Sequence, residues 1–226
     1  MIIDIAGLPA SGKSYFASYF CKTFNSISRG KIIDFIQIDR TTLLGKILHT
    51  LFNCFSFFFP FQHQTKKYLA EFTKKRPKYN KAHTLTFFTN RISYIYYIYL
   101  IFRIFKLNII INEGISQVLV TFAVEYNIDE ESFRKIVSNI LNDLEKVNVT
   151  FCVFDISVEK DLKSFKDRNR HVTAIDELKG KELRSFIESY KTFLNIYLTE
   201  FHYVKLSRDH SNKSNFSLLM EKGGIR

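Results

Sequence analysis

The 226-residue chain has no tryptophan, only three prolines and eight glycines, and just three cysteines. So little glycine and proline excludes collagen-like and proline-rich architectures, which need those residues in repeats. Cys21, Cys54 and Cys152 are odd in number and widely spaced, with neither a CxxC pair nor a Cys/His spacing of zinc-ligand type. A disulfide framework or metal site of that kind is therefore not expected; buried free thiols in a reducing cytoplasm are. The opening Met1-Ile2-Ile3-Asp4-Ile5-Ala6 lacks a basic n-region and a cleavage site, so no signal peptide is expected. Long apolar runs are also missing. Ile47 to Phe61 is interrupted by His49, Asn53 and Pro60, and Ile92 to Phe102 is closed by Arg91 and Arg103. Neither matches the roughly 20 apolar residues of a transmembrane helix, so burial is expected for both, with peripheral membrane contact left open.

What the chain does have is apolar mass and positive charge. Hydrophobic residues make up 46% against 24% charged, enough to offset the ordering entropy of a folded chain. Lys and Arg exceed Asp and Glu by 33 to 22, a formal charge of +11, and 24 of the residues are Phe. Such a basic excess points to an anionic partner: nucleic acid, a membrane surface or phosphorylated small molecules.

The pattern alternates between strand and helix. Apolar runs at Met1–Ala6, Lys31–Ile38, Leu107–Ile111, Val149–Ile156 and His202–Leu206 read as strands. Helical spacing fills Lys13–Phe24, Ile115–Tyr126, Asp129–Val147, Val158–Asp167, Lys179–Thr199 and Asn212–Met220. Asp129 is placed to cap its helix, with Glu130 and Glu131 in the first turn. Strands in alternation with helices imply a parallel sheet covered on both faces. The expectation is an α/β chain forming a single domain over 1–226, with a helical insertion at 43–106 after the second strand. Pro60 and Pro77 are read as breaks in that insertion.

The most specific signal is Gly7-Leu8-Pro9-Ala10-Ser11-Gly12-Lys13-Ser14, a full match to G-x-x-x-x-G-K-[ST] between a strand and a helix. Successive backbone N–H groups wrap a phosphate closely there, and the helix that follows aims its N-terminal amides at the same anion. Lys13 reaches the β- and γ-phosphates, and the Ser14 hydroxyl is placed for Mg²⁺. The segment is expected to bind a nucleoside triphosphate.

On these residues the sequence resembles the P-loop kinase group that phosphorylates nucleosides, nucleotides, sugars and other small molecules. GLPASGKS is similar to loops of gluconate-kinase-like, zeta-toxin-like and polynucleotide-kinase-like members. The resemblance covers about residues 1–40 and is patchy beyond. It implies a five-stranded parallel sheet, ATP with Mg²⁺, and a lid over the phosphates. It also implies that an acidic residue after the second strand serves as general base. Here that position is Asp39, with Arg40 placed to hold substrate; the other reading of Asp39 is a cap for a helix starting at Thr41. The third strand ends Ile111-Asn112-Glu113-Gly114, similar to the hydrophobic-Asp-Glu-Gly endings of several small-molecule kinases but with Asn in the Asp position. Glu113 is then the candidate for a metal contact or a substrate hydroxyl, and a solvated strand end is the alternative. Arg168 and Arg170 fall where the resemblance puts a lid, at 168–178, or else form an ordinary solvated turn.

Residues 66–81 carry seven cations, Lys66, Lys67, Lys74, Lys75, Arg76, Lys78 and Lys81, with Tyr68, Phe72 and Tyr79 among them. They read either as a solvated face or as a polyanion surface whose aromatics stack on bases. The phenylalanines around Phe52–Phe61 read as core or as one wall of an acceptor pocket. Together these features point to ATP-dependent phosphoryl transfer to a small-molecule hydroxyl or phosphate. The alternatives are a nucleic-acid-directed kinase or ATPase, and a nucleotide-binding regulatory protein without transfer.

Overall fold

The computed structural model describes residues 1–28, 30–35, 42–55, 60–72, 76–167, 174–200 and 202–223. Five parallel strands run β1 (Ile2–Gly7), β2 (Ile32–Asp34), β3 (Asn108–Ile111), β4 (Val149–Asp155) and β5 (Tyr203–Ser207), in spatial order β2-β3-β1-β4-β5. This α/β fold, a parallel sheet flanked by helices, has the topology of P-loop nucleotide-binding proteins. Among the described residues the α-helices are α1 (Lys13–Ile27), α2 (Leu43–Phe55), α3 (Pro60–Phe72), α4 (Leu85–Ile104), α5 (Ile115–Tyr126), α6 (Glu130–Leu144), α7 (Val158–Asp167), α8 (Gly180–Thr199) and α9 (Asn212–Lys222). Short 3₁₀ turns lie at Glu145–Val147 and Ala174–Glu177.

Strand β1 sits at the centre, with β3 and β4 on either side, and all six of its residues are buried. Its side chains alternate between faces. Ile3 and Ile5 join Phe16, Phe20 and Phe24 of α1 and Phe216 of α9 on one side. Ile2 and Ala6 join the larger core built from α4, α5, α6 and α8 on the other.

The second strand is described over Ile32–Asp34; the rest of its apolar run, from residue 36 to Ile38, lies outside the described residues. As an edge strand it pairs with the four-residue β3 through Ile32, Ile33 and Asp34. Phe35 buries its ring against Tyr94. Pro60 stands at the start of α3, where its missing N–H costs little, and Pro77 lies between α3 and α4, so both fall at breaks between helices of the insertion. Asp129 caps α6 as expected, its carboxylate accepting from Ser132 N at 2.8 Å.

The phenylalanines are not confined to the insertion. Phe52 packs on Tyr94 and Tyr97, Phe61 stacks on Tyr96, and Phe16, Phe20, Phe154 and Phe216 form a comparable cluster on the opposite face. No helix among the described residues is long and apolar enough to cross a membrane. Cys21 and Cys152 are buried free thiols, and burial pushes both up, Cys21 to about 12.

Candidate active site

At the C-terminal ends of the strands lies a cavity of about 580 Å³, the crevice position usual for ligands of parallel α/β sheets. Its floor is the turn between β1 and α1, residues 9–15. Gly12 opens α1 at φ 100°, a left-handed conformation that favours glycine, and no side chain caps the helix. The first-turn N–H groups are thus left to face the cavity, where an anion would satisfy them. At Gly7 a Cβ would come within 2.7 Å of the Phe154 carbonyl oxygen, so the loop lies flush against β4. Lys13 folds back over the loop: its ammonium donates to Gly7 O at 2.9 Å and Leu8 O at 2.7 Å, with Ser11 Oγ at 3.4 Å. Burial lowers its pKa to about 8, opposed by the carboxylates of Asp161 and Glu113.

One wall comes from the end of β3 and from α5. Asn112 is buried, and neither its Oδ1 nor its Nδ2 has a hydrogen-bond partner among the described residues. Glu113 is half exposed, with Arg91 Nη2 3.9 Å away. Gln117 and Thr121 follow on α5, facing Tyr190 of α8. Tyr190 and Thr121 both donate to the Gln117 carbonyl, at 3.3 and 2.9 Å, while the Gln117 Oε1 is buried and unpartnered among the described residues. Orphaned polar atoms of this kind cost about 1–3 kcal/mol each when left unsatisfied. Those of Asn112 and Gln117 gather on one cavity wall.

Ser164, Phe165 and Asp167 of α7 and Asp176 line the other side. Arg208, just past β5, reaches across to donate to Ala10 O at 3.4 Å and to Ser164 Oγ.

Under this surface lie two carboxylates that sequence reasoning missed. Asp4, in the middle of β1, is fully buried and accepts from Tyr99 Oη at 2.7 Å, Ser116 Oγ at 2.6 Å and Ser116 N at 3.3 Å. Burial raises its pKa, and these bonds oppose the rise. It sits at the N-terminus of α5, against Gly114, where a Cβ would collide with the carboxylate. The cluster ties the turn that carries Asn112 and Glu113 to the central strand. Its signal in the sequence was a lone charged residue inside an otherwise apolar strand. Asp161 of α7 is also fully buried, and neither oxygen finds a partner among the described residues. Burial holds its carboxyl at about 7, against the pull of Lys13, Arg208 and Lys191. Its signal was an aspartate four residues before Phe165 on the same helical face.

Of the residues expected from sequence, the structure brings Gly12, Lys13, Ser14 and Glu113 to one cavity, with Pro9, Ala10 and Ser11. Gly7 and Leu8 accept from Lys13 beneath it. Asp39, Arg40, Arg168 and Arg170 lie outside the described residues, as does the first part of the 168–178 segment. Among the described residues none of the insertion's phenylalanines lines the cavity; Phe165 is its phenylalanine. The described cations of 66–81 are exposed, and Tyr68 and Tyr79 pack against the core. Glu125, fully buried, holds the following loop by accepting from Tyr79 N, Asn80 N and His83 Nδ1 at 2.8–3.1 Å.

Mg²⁺ is what the loop motif implies. No group of three or more His, Cys, Asp or Glu side chains among the described residues forms a metal site. A nucleotide-borne Mg²⁺ asks for less, one or two protein oxygens beside phosphates and water, and Ser14 and Glu113 fit that requirement from the same cavity.

No protein-family model matches the chain, and no curated protein does. Solved structures do. The chain is similar to a deoxyadenosine kinase from M. mycoides with the products dCMP and a flexible dCDP bound, at 16% identity over 100% of both chains with a TM-score of 0.50. A second structure of that enzyme, with dATP bound, gives 15% identity over 99% of both chains and a TM-score of 0.49. At such identity the likeness is one of fold: the chain has the P-loop kinase fold that the first of these deoxyadenosine kinase structures displays.

Proposed function

We propose that the protein is an ATP-dependent phosphotransferase that moves the γ-phosphoryl group to a hydroxyl of a small, uncharged metabolite of the nucleoside class. The observation that carries this reading is the uncapped start of α1 at the floor of the cavity, with Lys13 beside it. Among the described residues the lining cations are Lys13 and Arg208, both against the phosphate loop. The opposite wall offers Asn112, Gln117, Thr121 and Tyr190, hydrogen-bonding groups without positive charge. That division suits a polyphosphate at one end and a neutral, hydroxyl-bearing acceptor at the other. The kinase of like fold, named for deoxyadenosine, supports the same class.

In this reading the loop amides and Lys13 hold the β- and γ-phosphates. Lys13 leaves the Gly7 and Leu8 carbonyls to do so. The acceptor oxygen attacks the γ-phosphorus in line, the bond to the β-phosphate bridging oxygen breaks, and ADP leaves. Asp39 takes the acceptor's hydroxyl proton, Arg40 holds the acceptor, and Arg168 and Arg170 offset charge on the transferring group. Mg²⁺, held by Ser14 and Glu113, supplies charge neutralisation at the phosphates when bound. Positioning and electrostatics account for most of such catalysis.

A second reading, nucleotide binding without transfer, is favoured by Asn112 in the position where a carboxylate is expected. One experiment decides between them. Labelled ATP is incubated with a panel of nucleosides, nucleotides and sugars, using wild type and Lys13→Ala. Transfer to a nucleoside that falls by about 10²-fold or more in Lys13→Ala supports the proposal. ATP binding with no transfer to any acceptor selects the second reading. Transfer that survives Lys13→Ala unchanged removes the proposed site.

A further inference from the structure

We propose that Asp161 is a positioning residue of the phosphate site, a built-in counter-anion that balances Lys13 and Arg208 while the site is empty and is neutralised by a proton when polyphosphate arrives. The inference rests on the reading of the cavity floor as a nucleotide polyphosphate site.

Three observations carry it. Asp161 is fully buried, and both carboxylate oxygens lack hydrogen-bond partners among the described residues. A carboxylate kept only for structure in a protein interior is normally hydrogen-bonded or directly paired; Asp4, with its three donors, is this chain's own example. Asp161 has charge around it instead. Lys13 of α1, Arg208 after β5 and Lys191 of α8 all act on it, and it in turn steadies the charge on Lys13. Third, it lies one turn before Ser164 and Phe165, which line the cavity on the same face of α7. Ser164 is also the residue to which Arg208 is tied. The carboxylate therefore sits directly behind the wall where the cations meet the phosphate loop.

The consequences follow from electrostatics. In the empty site the negative charge offsets two cations that otherwise face each other across the loop. Lys13 rests on the Gly7 and Leu8 carbonyls rather than pairing with Asp161, and so is free to turn to a ligand. A bound triphosphate brings several negative charges into the same space, takes over Lys13 and Arg208 as partners, and leaves Asp161 as an anion among anions. Like charge and burial act in the same direction on a carboxyl, both favouring its protonated form. Binding is then coupled to uptake of a proton by Asp161. Among the described residues the other ionisable groups facing this region are Glu113 across the cavity, which also acts on Lys13, Asp167 and Asp176 on the near side, Tyr15 on the floor, and Tyr190 of α8, whose hydroxyl burial keeps protonated.

The test is calorimetry of MgATP binding to wild type and Asp161→Asn, in pairs of buffers with different ionisation heats, at pH 6, 7 and 8. Subtracting the two proteins removes the nucleotide's own proton exchange. At pH 7 wild type should take up about half a proton more than Asp161→Asn, because a carboxyl near 7 is about half ionised there before binding. Above pH 7 wild-type affinity should fall by up to about tenfold per pH unit relative to the variant, which binds more tightly at pH 8. Asp161→Ser serves as a second uncharged variant should the Asn protein fold poorly. Equal proton uptake in wild type and variants, or weaker binding by them at pH 8, overturns the counter-anion role while leaving the nucleotide site standing. Failure of every protein to bind MgATP at any pH overturns both.

Discussion

Removing a single oxygen, by Tyr99→Phe, tests whether the buried Asp4 cluster holds the turn that carries Asn112 and Glu113. Tyr99 is fully buried; its hydroxyl donates to Asp4 Oδ2 at 2.7 Å and itself accepts from Ile115 N at 3.5 Å. Phenylalanine keeps the ring and its packing, so the substitution opens no large cavity. It takes one donor from a buried carboxylate, leaving it Ser116 Oγ and Ser116 N. A hydrogen bond to a charged group contributes about 1.5–3 kcal/mol. For a chain of this length each kcal/mol moves the melting temperature by roughly 2–4 °C, so a fall of about 3–12 °C is expected. The pH dependence has a definite sign. Burial holds the Asp4 pKa above its ordinary 3.8, so its proton is bound more tightly in the folded state, and stability is lost as pH rises through the folded value. With one fewer donor to the anion that folded value rises further. The deficit of Tyr99→Phe should therefore widen as pH rises from the carboxyl's ordinary 3.8 through its folded value. Urea unfolding across that range, alongside MgATP affinity, provides the assay. A loss below about 0.5 kcal/mol at every pH, or one that shrinks as pH rises, refutes the account of Asp4 as an anchored anion.

Asp161→Asn should be more stable than wild type at pH 8 by up to about 4 kcal/mol. A carboxyl moved from 3.8 to about 7 holds its proton some three decades more tightly, and that stability is lost as pH rises through 7. The advantage should vanish near pH 4, and thermal unfolding at the two pH values checks it. Gly114→Ala forces a Cβ into the Asp4 carboxylate and should cost about 1–3 kcal/mol while weakening MgATP binding, both measurable in one denaturation and one titration series. Glu125→Ala leaves the N–H groups of Tyr79 and Asn80 without their acceptor. It should cost about 3 kcal/mol and open the 76–84 loop to limited proteolysis, which cuts there at an unchanged rate if the loop is held by other means.

Features written in short stretches of sequence were readable from it. Gly7 to Ser14 declares its chemistry through local spacing, and α5 and α7 have the bounds read from the sequence, α7 burying one stripe and α5 buried on nearly every side. The described part of the second strand, Ile32–Asp34, is shorter than its apolar run, and as an edge strand it has β3 as its one pairing neighbour. Asp4, Asp161 and Arg208 stayed hidden. A lone aspartate in an apolar strand looks like an imperfection until Tyr99 and Ser116 arrive from elsewhere in the chain. Of the two readings of the Phe52–Phe61 stretch, core holds for Phe52 and Phe61, and packing divides the chain's phenylalanines between both faces of the sheet.

The order of the strands has a kinetic consequence. Strand β1, which ends in the phosphate loop, is the first element of the chain, yet its register partners Ile109 and Val149 come more than a hundred residues after Ile2. Both pairings close long loops, and the entropy of closing them must be met before the central strand gains any ladder. Nascent or refolding chains therefore carry an unpaired, wholly apolar-flanked β1 until β3 and β4 have formed. Unpaired strand edges of this kind invite self-association during folding. The anion cradle, the most local feature of the sequence, is thus completed only when some of the most distant contacts in the chain are made.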